Sequence, residues 1–93
     1  VRVRRSNGTA IDGRTEDISE GGLLVLLDAE LEPREPVLVR FALPASGRMV
    51  SVPAQARWAR ESRASTRAVG LAFVDAGEKV LEDIRAYVAY LGQ

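Results

Sequence analysis

The sequence predicts an all-β domain with one C-terminal helix: a six-stranded antiparallel barrel that the helix closes or plugs. Three observations predict it. Short segments of strand period, many of them rich in Val and Leu, recur from Val1 to Val74. Turn clusters such as Ser6-Asn7-Gly8 and Pro44-Ala45-Ser46-Gly47 separate them. Beyond Asp75 the apolar repeat lengthens to helical spacing and stays there.

The first strand is Val1-Arg2-Val3-Arg4, which alternates apolar and polar. A second runs through Arg14-Thr15-Glu16-Asp17-Ile18 and ends where Ser19-Glu20-Gly21-Gly22 turns the chain. The run Leu23 to Leu27 is apolar on both faces, as in a strand covered by the barrel interior on one side and by a helix or partner on the other. Asp28 to Pro36 is acidic, carries Pro33 and Pro36, shows no apolar period and reads as a surface loop. Val37 to Leu43 is the fourth strand, with Val37, Val39, Phe41 and Leu43 on one face. The fifth runs from Met49 to about Arg60, with Val50, Val52, Ala54, Ala56 and Trp58 sharing a face. Pro53 points the other way and is expected at an edge or a bulge, because it cannot donate to a ladder. Glu61 to Thr66 is a polar hairpin loop and Ala68 to Val74 the last strand, in which Gly70 marks a close approach by a neighbour or ligand. Asp75 with Glu78 resembles a capping box. Val80, Leu81, Ile84, Tyr87, Val88 and Leu91 then form the stripe of an amphipathic helix that Gly92 ends. Such a helix is too short to stand alone and is expected to pack on the strands.

Ninety-three residues make one domain with a small core. Apolar residues at 46% and charged residues at 28% are ordinary globular values and exclude disordered and collagen-like classes. The absence of cysteine removes disulfides, thiolate nucleophiles and Cys-based zinc sites. The absence of histidine removes the Ser-His-Asp arrangement and the usual metal triads. Two carboxylates alone support glycoside-type chemistry, but no motif here pairs them. The residue inventory therefore predicts a protein that is not an enzyme and has no metal or cofactor. No apolar run approaches the roughly 20 residues of a membrane helix and no signal-peptide pattern opens the chain, which makes the cytoplasm the expected location.

Net charge is zero, but the charges are segregated. Residues 1–14 carry Arg2, Arg4, Arg5 and Arg14 against Asp12, and residues 57–67 carry Arg57, Arg60, Arg63 and Arg67 against Glu61. Between them, residues 16–36 hold seven acids against Arg34. Two basic stretches brought together in space would attract a small dianion, whereas a long nucleic acid needs a broader field. Twelve of the thirteen cations are arginine, suited to forked contacts with phosphate and with guanine O6 and N7. Taken singly, most of these arginines read as solvated surface.

The most informative stretch is Asp17-Ile18-Ser19-Glu20-Gly21-Gly22, leading at once into Leu23 to Leu27. It sets an anionic acceptor, a hydroxyl and two glycines at a strand-to-strand corner. The spacing Asp-x-Ser-x-x-Gly resembles the signature of PilZ domains, bacterial receptors for the second messenger cyclic di-GMP. The likeness covers nearly the whole chain: an initial strand at Val1 to Arg5, the turn and apolar strand at Asp17 to Leu27, a long strand ending near Trp58 and Arg60, the Val69-Gly70-Leu71-Ala72-Phe73 strand, and the helix from Asp75 to Leu91. It implies a six-stranded antiparallel PilZ-like β-barrel and a nucleotide-binding regulatory module whose ligand is cyclic di-GMP and which changes its contacts with a neighbouring domain or partner. The family's second signature, Arg-x-x-x-Arg on a mobile arm before the turn, is not supplied by Arg2, Arg4 and Arg5. It is expected upstream of Val1, so that residues 1–93 hold one PilZ-like domain without its arm.

The resemblance implies four ligand-binding residues. Asp17 would accept from the guanine N1–H and N2–H edge. Ser19 would bond a phosphate, a ribose hydroxyl or the base, and Gly22 would leave room for a backbone N–H to approach. Trp58 would stack on the base, a contact worth about 1–3 kcal/mol. Each has a plainer alternative. Asp17 and Ser19 suit local turn bonds to their own backbone, Gly22 suits a positive torsion, and Trp58 shares its face with four core residues. Glu20 and the acidic loop read as solvated. The competing function is a protein-interaction domain of the same fold that binds no nucleotide and docks through the helix or Leu23 to Leu27. An oligonucleotide-binding barrel would need exposed aromatics in series, and the chain has five aromatics in all.

Overall fold

A computed structural model describes residues 1–43, 47–62 and 66–91, with the side chain of Leu91 left aside. Six strands, β1 (Arg2–Arg5), β2 (Ala10–Ser19), β3 (Gly22–Leu27), β4 (Pro36–Ala42), β5 (Met49–Glu61) and β6 (Arg67–Phe73), precede one helix, α1 (Glu78–Leu91). The strands close into a barrel in the order β1-β2-β3-β6-β5-β4, every neighbour antiparallel. Closure leaves no free sheet edge among the described residues for another chain to extend.

The alternation seen in the sequence becomes the barrel interior. Val3, Val39 and Val52 pair side by side across β1, β4 and β5, and Val25 pairs with Val69 across β3 and β6; all five are buried. One end is sealed by α1, whose Ile84 is 0% exposed and whose Val80, Tyr87 and Val88 pack against the same core. Arg48–Asp83 at 2.9 Å and Arg85–Glu20 at 2.5 Å tie the helix to the turns at that end. Phe41 and Phe73 stack with centroids 6.4 Å apart. No helix among the described residues is long and apolar enough to cross a membrane.

Several expectations change in detail. β2 begins at Ala10, earlier than its polar sequence indicates, because Ala10, Ile11 and Asp12 pair with β1. The acidic segment between β3 and β4 is anchored rather than merely solvated. Leu31 is buried in the core cluster, and the Glu35 side chain, 9% exposed, takes two bonds from Arg5 at 2.6 and 2.8 Å. The same segment feeds backbone bonds to β5: Arg34 N–H donates to the Ala56 carbonyl, and Ala56 N–H donates to the Glu35 carbonyl.

Pro53 pairs with Leu38 of β4. Its carbonyl accepts from Val74 N–H, so the side on which its own N–H is lacking faces the point where β6 has already ended. The bulge of β5 lies farther on, between Ala56 and Trp58. Trp58 therefore leaves the inward face of Val50, Val52, Ala54 and Ala56 and stands 48% exposed, contrary to the unbroken alternation read from the sequence. Asp75 is not the helix cap. It has φ of 51°, α1 starts at Glu78, and the first helical bond runs from Leu81 N–H to the Gly77 carbonyl. The expected turn at Pro44-Ala45-Ser46, the tip of the Glu61 to Thr66 loop and the stop at Gly92 lie outside the described residues.

Candidate functional site

Two strand irregularities make the site. In β2 the inward positions Ile11 and Gly13 would, by strict alternation, be followed by Thr15 and Asp17. A bulge between Thr15 and Asp17 shifts the register, so that Ile18 is buried while Asp17 and Ser19 face outward. The bulge in β5 performs the same inversion on Trp58. The register then aligns them: Asp17 pairs with Leu24, Leu24 with Gly70, and Gly70 with Trp58. One transverse row on the outer surface runs carboxylate, leucine, glycine, indole across four strands. At strand spacings of about 4.8 Å its ends lie about 14 Å apart along the sheet.

Glycine at position 70 leaves room for its neighbour. A Cβ there would collide with the indole of Trp58, so the ring lies over the bare backbone of the opposite strand, the arrangement in which an aromatic covers a cross-strand glycine. The close approach expected at Gly70 is thus made by Trp58. On the indole rests the guanidinium of Arg60, its central carbon 5.4 Å from the ring centroid.

At the hairpin that joins β2 to β3, Ser19 pairs with Gly22, and Glu20 and Gly21 form the turn. Ser19 Oγ accepts from Gly21 N–H at 3.3 Å, and Asp17 Oδ1 accepts from Ile18 N–H at 2.9 Å. The local turn bonds weighed as the plainer alternative therefore exist. They leave the second Asp17 oxygen and the Ser19 hydroxyl proton without a protein partner among the described residues. Gly22 does not take the positive torsion considered for it. Its φ is not in the left-handed region, and a Cβ would drive into the Leu71 carbonyl, so its bareness lets β3 pack closely on β6. Phe73 N–H also donates to the Gly21 carbonyl at 2.9 Å, and Arg85 of α1 grips Glu20. The hydrogen bond to Glu20, and then its charge, raise the Arg85 pKa above its ordinary value. Glu20 is thus paired as well as exposed.

Asp17, Ser19, Gly22 and Trp58 line a single depression of about 190 Å³, with Ile18, Leu23, Leu24 and Gly70 as the other walls. A larger concavity of about 800 Å³ adjoins it through the shared Leu24. Leu26 and Ala68 belong to its floor, and Arg14, Glu16 and Arg60 to its banks. Sequence reasoning named Arg60 in a basic stretch but placed neither it nor Leu24 beside the candidate residues, which required the cross-strand register. Nor do the two basic stretches converge as a whole. Arg14 and Arg60 share a row through Leu26 and Ala68, but Arg2, Arg4 and Arg5 lie on β1, across the barrel from β3 and β6. Among the described residues no group of acidic side chains is placed to hold a metal ion.

The arrangement offers an open carboxylate and a hydroxyl at one end of the row and an exposed ring at the other. A planar heterocycle with donor groups on its edge fits that combination. No sequence among the curated proteins gives a significant match. Comparison with known protein families matches the PilZ domain over residues 1–90, nearly the whole length. PilZ domains are regulatory binding domains rather than enzymes, and the family is in general one of cyclic di-GMP receptors. With its closed six-stranded barrel, terminal helix and Asp-x-Ser-x-x-Gly hairpin, the chain belongs to the PilZ domain family.

Proposed function

We propose that this domain binds cyclic di-GMP and transmits its presence by altering contacts with a neighbouring domain or protein partner in the bacterial cytoplasm. The observation that carries the reading is the row Asp17–Leu24–Gly70–Trp58, because two separate bulges turn its two ends outward onto one surface. In this reading Asp17 accepts from the guanine N1–H and N2–H edge, Ser19 donates its hydroxyl to a phosphate or ribose oxygen, and a guanine face stacks on Trp58. Gly22 holds the hairpin against β6 and leaves its backbone open at the wall of the same depression. Glu20 is the link to the rest of the domain, since it lies inside the hairpin and is held by Arg85 of the terminal helix.

The test is calorimetric titration of cyclic di-GMP into the chain carrying whatever its gene encodes before Val1, alongside Asp17→Ala. Micromolar or tighter binding that Asp17→Ala weakens at least tenfold is expected. Absence of binding, or binding indifferent to the substitution, removes the reading. The 93-residue chain alone is expected to bind weakly or not at all. The second reading is a partner-binding domain without a nucleotide. It is favoured by the bonds that Asp17 and Ser19 already make to Ile18 and Gly21, and it predicts no heat with the dinucleotide in either form.

A further inference from the structure

We propose that Arg60 is the barrel's own phosphate-binding residue, and that it changes partners when ligand arrives. The ligand's base takes the place of the guanidinium on Trp58, and the released guanidinium forks onto the ligand's phosphate. This deepens the receptor reading above and rests on it.

The first ground is size. A depression of about 190 Å³ is smaller than the roughly 300–1,000 Å³ that whole ligands usually occupy, so it suits one base and leaves the rest of a dinucleotide outside. The adjoining concavity runs on from Leu24 along the same strands, and Arg60 stands on its bank. Trp58 and Arg60 are alternate residues of β5, facing the same side about 7 Å apart along the strand. A ligand stacked on the first brings its own phosphate within reach of the second.

The second ground is the state of the other charges in that concavity. Asp12 is held by Arg2 at 2.9 Å, Arg14 by Glu16 at 3.1 Å, and Asp28 accepts from the Thr66 hydroxyl at 3.2 Å. Arg60 alone among these charged side chains has no hydrogen-bond or ion-pair partner among the described residues, and its guanidinium lies over the indole. A guanidinium resting on an exposed ring is weakly held, whereas a forked guanidinium–phosphate contact is among the stronger charge-assisted pairs. The exchange is therefore favourable at Arg60. It also clears the ring face that a base needs.

The prediction is a split between ligands with and without phosphate. Cyclic di-GMP and guanosine are titrated into the wild-type chain and into Arg60→Ala and Arg60→Lys, each carrying the gene's upstream residues. Emission of Trp58, the chain's single tryptophan, is read alongside calorimetry. Arg60→Ala is expected to weaken cyclic di-GMP about tenfold or more, to leave guanosine binding equal or stronger, and to change the emission of the free protein. Arg60→Lys falls between, keeping the charge without the fork. Equal loss for both ligands, or no loss for cyclic di-GMP, overturns the role of Arg60 while the receptor reading stands. Failure of the wild type to bind either ligand overturns both. Arg60 is exposed, so far-UV circular dichroism of the variants is expected to match the wild type and serves as the folding control.

Discussion

The outer surface over β3 and β6 and the outer surface over β1 and β4 lie on opposite sides of one barrel, and they treat charge in opposite ways. The first is bordered by the bulges of β2 and β5, has a floor of Leu24, Leu26, Ala68 and Gly70, and carries few cations. The second is regular throughout its pairings with β1 and β4. It presents Arg2, Arg4 and Arg40 with Asp12 as the nearby acid, and Arg2 lies directly opposite Arg40. Positive charge thus concentrates away from the depression that gathers the family's signature residues. The lesson is that chain-level charge runs do not locate a small-ligand site on a closed barrel. On the proposed reading, breaks in strand alternation mark it here, because each break turns one candidate side chain out of the core.

Glycine substitutions separate fold from site on the bulged face, and they carry the largest expected effect. Gly22→Ala sets a methyl against the Leu71 carbonyl, which is backbone and cannot move aside, so a loss of about 3 kcal/mol is expected. For a domain of this size that lowers Tm by about 12–24 °C in a thermal melt. Gly70→Ala meets the indole instead, which can swing away. It is expected to lower Tm by less than half as much, while altering Trp58 emission and weakening ligand. If Gly70→Ala destabilises more than Gly22→Ala, the assignment of one glycine to the fold and the other to the site is wrong.

A second, smaller effect tests the anchoring of the acidic loop, on the margin between the two faces. The hydrogen bond from Arg5 holds the Glu35 carboxyl below its ordinary pKa, with burial opposing and the Glu32 N–H assisting. A depressed folded value means the stabilisation is complete above the unfolded pKa, near 4.5, and is lost as pH falls through the folded one. The Tm difference between wild type and Glu35→Gln is therefore expected to be constant near neutrality and to shrink below about pH 4.5. A difference that grows on acidification would contradict the pairing.

The smallest effect belongs to the regular face. Arg40→Ser removes a like charge opposite Arg2 and is expected to raise Tm by about 1–3 °C without changing cyclic di-GMP affinity. Loss of affinity in that variant would move the binding surface to the other side of the barrel.

Much of the fold was legible because alternation and turn residues are local. All six strands, the terminal helix and the Asp17 to Gly22 corner follow from them. What was hidden depends on one skipped residue or on a neighbour far along the chain. The alternation Val50, Val52, Ala54, Ala56 runs on to Trp58 in the sequence, and nothing local announces that Arg57 is the extra residue that puts the indole outside. Leu31 has no periodic companions, so its burial could not be read either. The candidate residues Asp17, Ser19 and Trp58 could be named, but their common surface with Leu24, Gly70 and Arg60 needed the register of four strands.

On the proposed reading the bulged row, not the arginine-rich face, receives the nucleotide. Amide and indole N–H chemical shifts, followed as cyclic di-GMP is titrated into the isotopically labelled chain with its upstream residues, test it most directly. The largest changes are expected at Ile18 to Gly22, Leu24, Gly70 and the Trp58 indole, with Arg2, Arg4 and Arg40 unmoved. Changes confined to β1 and β4, with the Trp58 indole silent, would contradict it.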